Sequence, residues 1–211
     1  MLPPLTPERV GEWLNVSRET LARLEAYVQL LTAWNRRINL VGPRTLRDVW
    51  RRHILDSGQL FAQMPPKARV LVDLGSGAGL PGLPLAILGV PEVHLVESDG
   101  RKCAFLREAA RVTETTITLH QRRIAEVPGF AADVITARAL APLQDLLDHG
   151  EKFGAPHSIL LFLKGESVSE ELTEAAKAWN MIHRLVPSIS DPSGTVLRLE
   201  KVTRAGDSGK H

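Results

Sequence analysis

The chain has 211 residues, with 26 Lys and Arg against 24 Asp and Glu, 44% hydrophobic and 24% charged residues, and one cysteine. A length near 200 residues gives one domain, or a domain with an appendage, and buries enough surface to need no metal or disulfide staple. Disordered and collagen-like chains are excluded; with no charged-then-apolar leader and no apolar run near the roughly 20 residues that span a bilayer, a soluble cytoplasmic protein is expected.

The first sixty residues read as helical. Thr6 caps a helix that starts with Pro7, and Ser17 caps a second in which Leu21, Leu24, Val28 and Leu31 recur at spacings of three and four, with Tyr27 and Trp34 widening the stripe. After the break at Asn39-Leu40-Val41-Gly42-Pro43, Thr45 is placed to cap a third helix running toward Phe61, and Pro65-Pro66 closes the segment.

At Arg69 the pattern changes. Val70-Leu71-Val72 reads as a strand buried on both faces, and Pro81 as the first turn of the helix after the glycines that follow. Strands are then predicted at Val93–Glu97, Thr116–His120, Asp133–Ala137 and Ser158–Lys164, with helices at Arg101–Val112, Pro142–Lys152 and Val168–Trp179. Strands at Ile182–Val186 and Thr195–Val202, separated only by a loop, close the chain as an antiparallel pair. Such alternation specifies a doubly wound, mostly parallel sheet. The division expected is a helical extension over residues 1–66, a core over 67–203 and a disordered tail over 204–211.

Charge is unevenly spread. Arg36, Arg37, Arg44, Arg47, Arg51 and Arg52 face one acid, Asp48, and a second cluster contains Arg101, Lys102, Arg107, Arg111, Arg122 and Arg123. Two basic patches on a balanced chain suit a polyanion, or else two solvated helix faces.

The stretch Asp73-Leu74-Gly75-Ser76-Gly77-Ala78-Gly79-Leu80-Pro81-Gly82 stands at the carboxyl end of the first strand, where open α/β sheets bind ligands. Gly77 to Gly82 spells the dinucleotide fingerprint G-x-G-x-x-G. Against that reading, the loop opens at Gly75, and Asp73 just before it would grip a cationic amino acid moiety and repel a pyrophosphate. S-adenosylmethionine, which has no phosphate to seat on a helix N-terminus, fits better. Glu97 ends the second strand twenty residues after Gly77, where an acid bonds a ribose in either cofactor. No Gly-Lys-Ser/Thr follows the loop, so a phosphate-binding P-loop is excluded, and no metal-ligand spacing is present. Cys103 reads as a small core residue.

Several separated motifs resemble one family, RsmG (GidB), the bacterial methyltransferases of guanine N7 in 16S ribosomal RNA. They are Trp34-Asn35 with Asn39-Leu40, Arg52-His53-Ile54-Leu55-Asp56-Ser57, Asp73 through Pro84, Arg101-Lys102 with Phe105-Leu106, Arg138-Ala139 and Lys164-Gly165, spread over about residues 25 to 200. The resemblance implies a class I methyltransferase core, a Rossmann-like seven-stranded sheet, with an N-terminal helical extension. It also implies S-adenosylmethionine as cofactor and 16S rRNA or the small subunit as partner.

Carried over residue by residue, Gly75 and Leu80 contact the cofactor in the loop, Ile124 and Ala125 lie beside the adenine, and Arg138 follows the fourth strand. Asp73, Ser76, Gly77, Gly79 and Glu97 complete the expected cofactor set. This chain departs from the family at Ala125, where an acid is common, and at Ala137, where a Ser is usual. Arg138 is the expected gripping residue; Arg51, Arg52, Arg122 and Arg123 are the expected RNA contacts. His53 and Asp56, three apart on a predicted helix, can form a pair bridging extension and core. N7 carries a lone pair and no proton, so no general base is expected. A monomer is expected. The competing readings are an NAD(P)-dependent oxidoreductase and a non-catalytic RNA-binding module.

Overall fold

β1 (Val70–Leu74) alternates its side chains between two hydrophobic layers, Leu71 entering one and Val72 and Leu74 the other. The same alternation recurs at Val134 and Ile135 of β4 (Val134–Arg138) and at Leu161 and Phe162 of β5 (Ile159–Lys164), so both faces of the sheet must be covered. The computed structural model describes residues 3–206. Beside these strands lie β2 (Glu92–Glu97), β3 (Thr118–Gln121), β6 (Trp179–Pro187) and β7 (Thr195–Arg204). The seven strands take the order β3-β2-β1-β4-β5-β7-β6. β1 pairs parallel with β2 and β4, whereas β7 runs antiparallel to both β5 and β6. The expected antiparallel closing pair is therefore present.

α1 (Pro7–Leu14) and α2 (Arg18–Trp34) start on the predicted caps, the Thr6 and Ser17 hydroxyls accepting from the Arg9 and Thr20 N–H groups. Val10, Leu24, Tyr27 and Leu31 are fully buried in the same layer as α4 (Gly82–Ile87) and as Phe105 and Leu106 of α5 (Gly100–Val112). The ring of Trp34 meets Phe105 edge-on at 5.7 Å. α6 (Leu143–Gly150) and α7 (Val168–Ala175) cover the other face. Cys103 is buried, as expected.

Four local expectations are corrected. Thr45 does not cap a regular helix: residues 45–63 run through a 3-10 turn (Thr45–Asp48), a π-turn (Trp50–Leu55), a single α-turn α3 (Asp56–Gly58) and another 3-10 turn (Gln59–Gln63). The wider π-turn keeps Trp50, Ile54 and Leu55 inward while His53 and Asp56 both reach the core's Arg138. Pro81 stands at the N-cap of α4, one residue before the helix proper. Trp179 starts β6 instead of ending α7, and Arg204 is the last residue of β7 instead of the first of a tail. The two corrections share a cause, because the Arg204 guanidinium stacks over the Trp179 ring at 4.1 Å and draws both into the sheet. The remainder of the expected tail, 207–211, lies outside the described residues.

Candidate functional site

The glycine loop leaves β1 with Gly75, Gly77 and Gly79 all at positive φ (65°, 58° and 84°). At Gly75 a side chain would also strike Leu140, the built Cβ lying 2.5 Å from its Cδ1. The loop forms one wall of a cavity of about 580 Å³ at the carboxyl edge of the sheet. A Cβ at Gly77 would have only the Gly75 carbonyl oxygen nearby, at 3.9 Å, because it would stand in that cavity. Ser76, Leu80, Glu97, Ile124, Ala125 and Arg138 complete the predicted residues that line it.

Glu97 bridges two chain segments: Oε2 accepts from the Gly77 N–H at 2.9 Å and Oε1 from the Asp99 N–H at 2.8 Å. Each oxygen keeps acceptor capacity toward the cavity, as a hydroxyl pair on a ribose requires. The carbonyl of Ala125 takes a 3.0 Å bond from Lys152 Nζ, so this position is tied to the fold through its backbone.

Two expected contacts do not line the cavity. Gly79 packs on Leu83 and Leu106, where a Cβ would lie within 3.0 Å of both. Asp73 is fully buried, its Oδ2 accepting from the Gly82 N–H (3.2 Å) and its Oδ1 from the Thr136 hydroxyl (2.9 Å). Burial pushes its carboxyl up to about 6, against the bonds from Thr136, Ser76 and Gly82. Asp73 therefore does not grip a cofactor amine directly; it fixes the loop against the sheet. It also occupies the first N–H of α4, the place where a dinucleotide would seat its pyrophosphate. That arrangement disfavours the oxidoreductase reading on geometry.

One functional group escapes the sequence pattern entirely. The Tyr27 hydroxyl, buried under the loop, donates to the Ala78 carbonyl at 2.7 Å. An apolar stripe predicts the ring's burial but carries no information about the partner of its hydroxyl. Asn35, part of the motif Trp34-Asn35 with Asn39-Leu40, staples that segment: Oδ1 accepts from the Leu40 and Val41 N–H groups, each at 2.9 Å, and Nδ2 donates to the Val41 carbonyl. This staple lays Leu40 on the rim of the cavity.

Arg138 and Ala139 also line a second cavity of about 480 Å³, so they stand where the two adjoin. Arg138 Nη1 lies 3.0 Å from His53 Nδ1, 3.2 Å from the Arg52 carbonyl and 3.4 Å from Asp56 Oδ2. A guanidinium only donates, so His53 accepts at Nδ1 and carries its proton at Nε2, which faces Thr45 Oγ1 at 2.8 Å. Thr45 passes its own proton to the Gly42 carbonyl at 2.7 Å. Burial, then the charges of Arg138 and Arg52, push the His53 ring down to about 3, so it is neutral across physiological pH. Burial raises the Asp56 carboxyl, opposed by Ser190 and Arg138. His53 and Asp56 thus do bridge extension and core, but through Arg138, not as a pair with each other. Ala139 adopts φ 50°, a left-handed conformation that costs a non-glycine residue energy.

The expected RNA contacts divide. Arg51 donates to Asp48 (2.7 Å) and to the Pro3 carbonyl (2.7 Å), so its guanidinium is committed internally. Arg52 pairs with Asp191 on the wall of the second cavity. Arg122 and Arg123 are exposed on the rim of the first cavity. Arg36, Arg37, Arg44 and Arg47 are exposed, and among the described residues none forms an ion pair. No cluster of three or more His, Cys, Asp or Glu suited to a metal occurs among the described residues, and no helix there is long and apolar enough to cross a membrane.

The GidB family, described as rRNA small subunit methyltransferase G, matches the chain over residues 20–194. The ribosomal RNA small subunit methyltransferase G of Rhodospirillum rubrum is 57% identical over 201 residues, which cover 95% of this chain and 100% of that one. Its namesake from Paramagnetospirillum magneticum is 57% identical over 198 residues, 94% of this chain and 97% of that one. Among solved structures, the ribosomal protein L11 methylase of Lactobacillus delbrueckii subsp. bulgaricus matches with a TM-score of 0.57 at 17% identity, over 69% of this chain and 76% of that one. Magnesium protoporphyrin IX methyltransferase of Synechocystis PCC 6803, solved with bound SAM, matches with a TM-score of 0.57 at 13% identity, over 88% and 98% of the two chains. At these identities the structural likeness establishes the fold, the class I methyltransferase sheet.

Proposed function

The chain belongs to the GidB family of small-subunit rRNA methyltransferases, and from that premise we propose that it methylates N7 of one guanine in 16S ribosomal RNA, in the cytoplasm where subunits are built. It is an S-adenosylmethionine-dependent rRNA methyltransferase. The N7 assignment follows from the family resemblance of the sequence motifs; the observation that supports methyl transfer is the junction of the two cavities at Arg138 and Ala139, where one suits a nucleoside held by Glu97 and the other opens directly beside it. The residues present fit the cofactor, since the glycine loop leaves room in the cavity and Asp73 closes the phosphate position.

When bound, S-adenosylmethionine supplies an electrophilic methyl group on a sulfonium. The chain's own task is alignment. Tyr27 and Asp73 hold the loop from behind, Glu97 orients the ribose, and Arg138, fixed by His53 and Asp56, presents donors toward the guanine O6 next to N7. No base is required, and His53 does not supply one, being neutral with both ring nitrogens engaged. In an A-form duplex N7 lies in a deep, narrow groove, so the target base must reach the second cavity unstacked. The exposed arginines of residues 36–47 flank a segment that reaches both cavities through Leu40 and Thr45, a position suited to neighbouring phosphates.

The test is transfer of a radiolabelled methyl group from S-adenosylmethionine to small ribosomal subunits and free 16S RNA lacking the modification, mapped by chemical cleavage at N7-methylguanine. Label at a single guanine is expected. Label at another atom, or none on any RNA substrate with folded protein, would overturn the assignment.

A further inference from the structure

Given the N7 reading, on which this inference rests, we propose that the second cavity recognises the Watson–Crick edge of the acceptor guanine through the carboxylate of Asp191, held in place by Arg52. The orientation follows from the reaction. N7 and O6 must face the Arg138–Ala139 boundary with the first cavity, so N1–H and the 2-amino group point across the second cavity to its far wall. That wall includes the loop between β6 and β7, where Asp191, Ser193 and Gly194 line the space. Guanine offers two donors on this edge, N1–H and N2–H, whereas adenine offers an acceptor at N1, so a carboxylate here separates the two.

Three carboxylates line the cavity, each accepting three hydrogen bonds, and the bonds of two of them tie down the fold or the gripping arginine. Glu171 accepts from Lys164 Nζ (2.7 Å), the Leu143 N–H (2.8 Å) and the Ser167 hydroxyl (2.9 Å), which ties β5 to the two helices α6 and α7. Asp56 accepts from the Ser190 hydroxyl (2.5 Å), Gln59 (3.2 Å) and Arg138 (3.4 Å), and so sets the gripping arginine. Asp191 remains, with 27% of its side chain exposed, the most open of the three. Its Oδ1 takes the Ser193 N–H (3.0 Å) and hydroxyl (2.9 Å), while Oδ2 takes Arg52 and keeps a free lone pair. The Ser193 hydroxyl is a rotor that can release a second.

The loop is set before any base arrives. Gln59 receives the Ile189 N–H at 3.0 Å and donates to Ser188 Oγ at 3.0 Å, and the Ser188 N–H closes on the Gly194 carbonyl at 3.0 Å. Burial works against the charge of Asp191, and the bonds from Arg52 and Ser193 more than offset it, holding the carboxyl below its usual range. In the transfer a C–N7 bond forms as the C–S bond breaks, the electron pair leaves with sulfur, and the purine becomes cationic without moving a proton. A carboxylate on N1–H and N2–H therefore gains strength as the reaction proceeds, stabilising the transition state more than the neutral base.

The experiment compares 16S RNA carrying guanosine or inosine, which lacks the 2-amino group, at the mapped target. For wild-type protein kcat/KM should fall about tenfold or more with inosine, as expected for losing a bond to a charged acceptor. Asp191→Ala should lower guanosine transfer toward the inosine value and erase the difference, leaving S-adenosylmethionine affinity unchanged in a binding titration. Asp191→Asn, isosteric and still able to receive Ser193, must narrow the ratio in the same direction if Asp191→Ala fails to fold. A guanosine–inosine ratio that stays at its wild-type value in a folded variant, or a wild-type ratio near one, overturns the proposal. No transfer by wild type to the guanosine RNA would instead overturn the N7 reading beneath it.

Discussion

The hydroxyl of Tyr27, in the second helix of the extension, donates to the carbonyl of Ala78 in the glycine loop, a bond between residues fifty-one positions apart and closed to solvent. The extension therefore reaches under the cofactor cavity and holds its floor. Tyr27→Phe removes the donor and strands a buried carbonyl, which should cost about 1–3 kcal/mol of stability. Thermal melting checks that figure, and a titration should show weakened S-adenosylmethionine binding, since the loop is no longer tied to α2 at this point.

Arg138 calls for a gentler substitution than truncation. Its guanidinium meets both His53 and Asp56, and removing it would leave a largely buried carboxylate without its cation, mixing folding with function. Arg138→Lys keeps the charge and loses the fork. Turnover is expected to drop about a hundredfold from misplacement alone, with a small change in melting temperature. A melting temperature that collapsed in step with activity would mark Arg138 as structural.

The pH dependence of stability contains two opposed contributions. His53 titrates at about 3 in the fold and at its ordinary 6.5 when unfolded, so between those values the unfolded chain binds the extra proton and stability falls as pH falls. Asp73 titrates at about 6 against an ordinary 3.8, so between those values the native state binds the extra proton and stability rises as pH falls. His53→Gln should remove the first slope between pH 4 and 6 and Asp73→Asn the second, each against the unchanged background of the other carboxylates. Denaturant melts across that interval separate the two.

Ala139 holds a left-handed backbone at the boundary of the two cavities. Ala139→Gly should relieve about 1 kcal/mol of strain, less what glycine adds to the unfolded chain's freedom. The same change loosens the residue after Arg138, so stability should rise while turnover falls, a divergence that melting and single-turnover assays read together.

Charge reversal discriminates the arginines. Arg44→Glu with Arg47→Glu should reduce the slope of log affinity against log salt by roughly 0.7 to 0.9 for each phosphate that the variant no longer neutralises, with cofactor affinity unchanged. Arg51→Glu should instead lower stability, because its guanidinium is bonded to Asp48 and Pro3. Equal salt slopes for wild type and the double variant would remove this segment from the RNA surface.

Local signals carried most of the architecture. Thr6 and Ser17 cap as their hydroxyls suggest, and Val70-Leu71-Val72 before glycines is a central strand because apolar residues on both pleats require two covers. What periodicity could not supply was the partner of a polar tip. Asp73 at a strand end looks like a ligand contact, yet its place in the pleat aims it at Thr136 and Gly82. Arg51 and Arg52 are neighbours in one basic run, but the π-turn sends one inward to Asp48 and the other across to Asp191. Asp191 itself stands 139 residues from Arg52, and nothing near it in sequence announces the cavity.

Because α1 and α2 share a single hydrophobic layer with α4 and α5, the N-terminal helices are not a detachable module. An exchange of residues 1–66 would withdraw Tyr27 and His53 from the catalytic half, so new targets are open to this scaffold through its loops, residue by residue, and closed to it by domain shuffling.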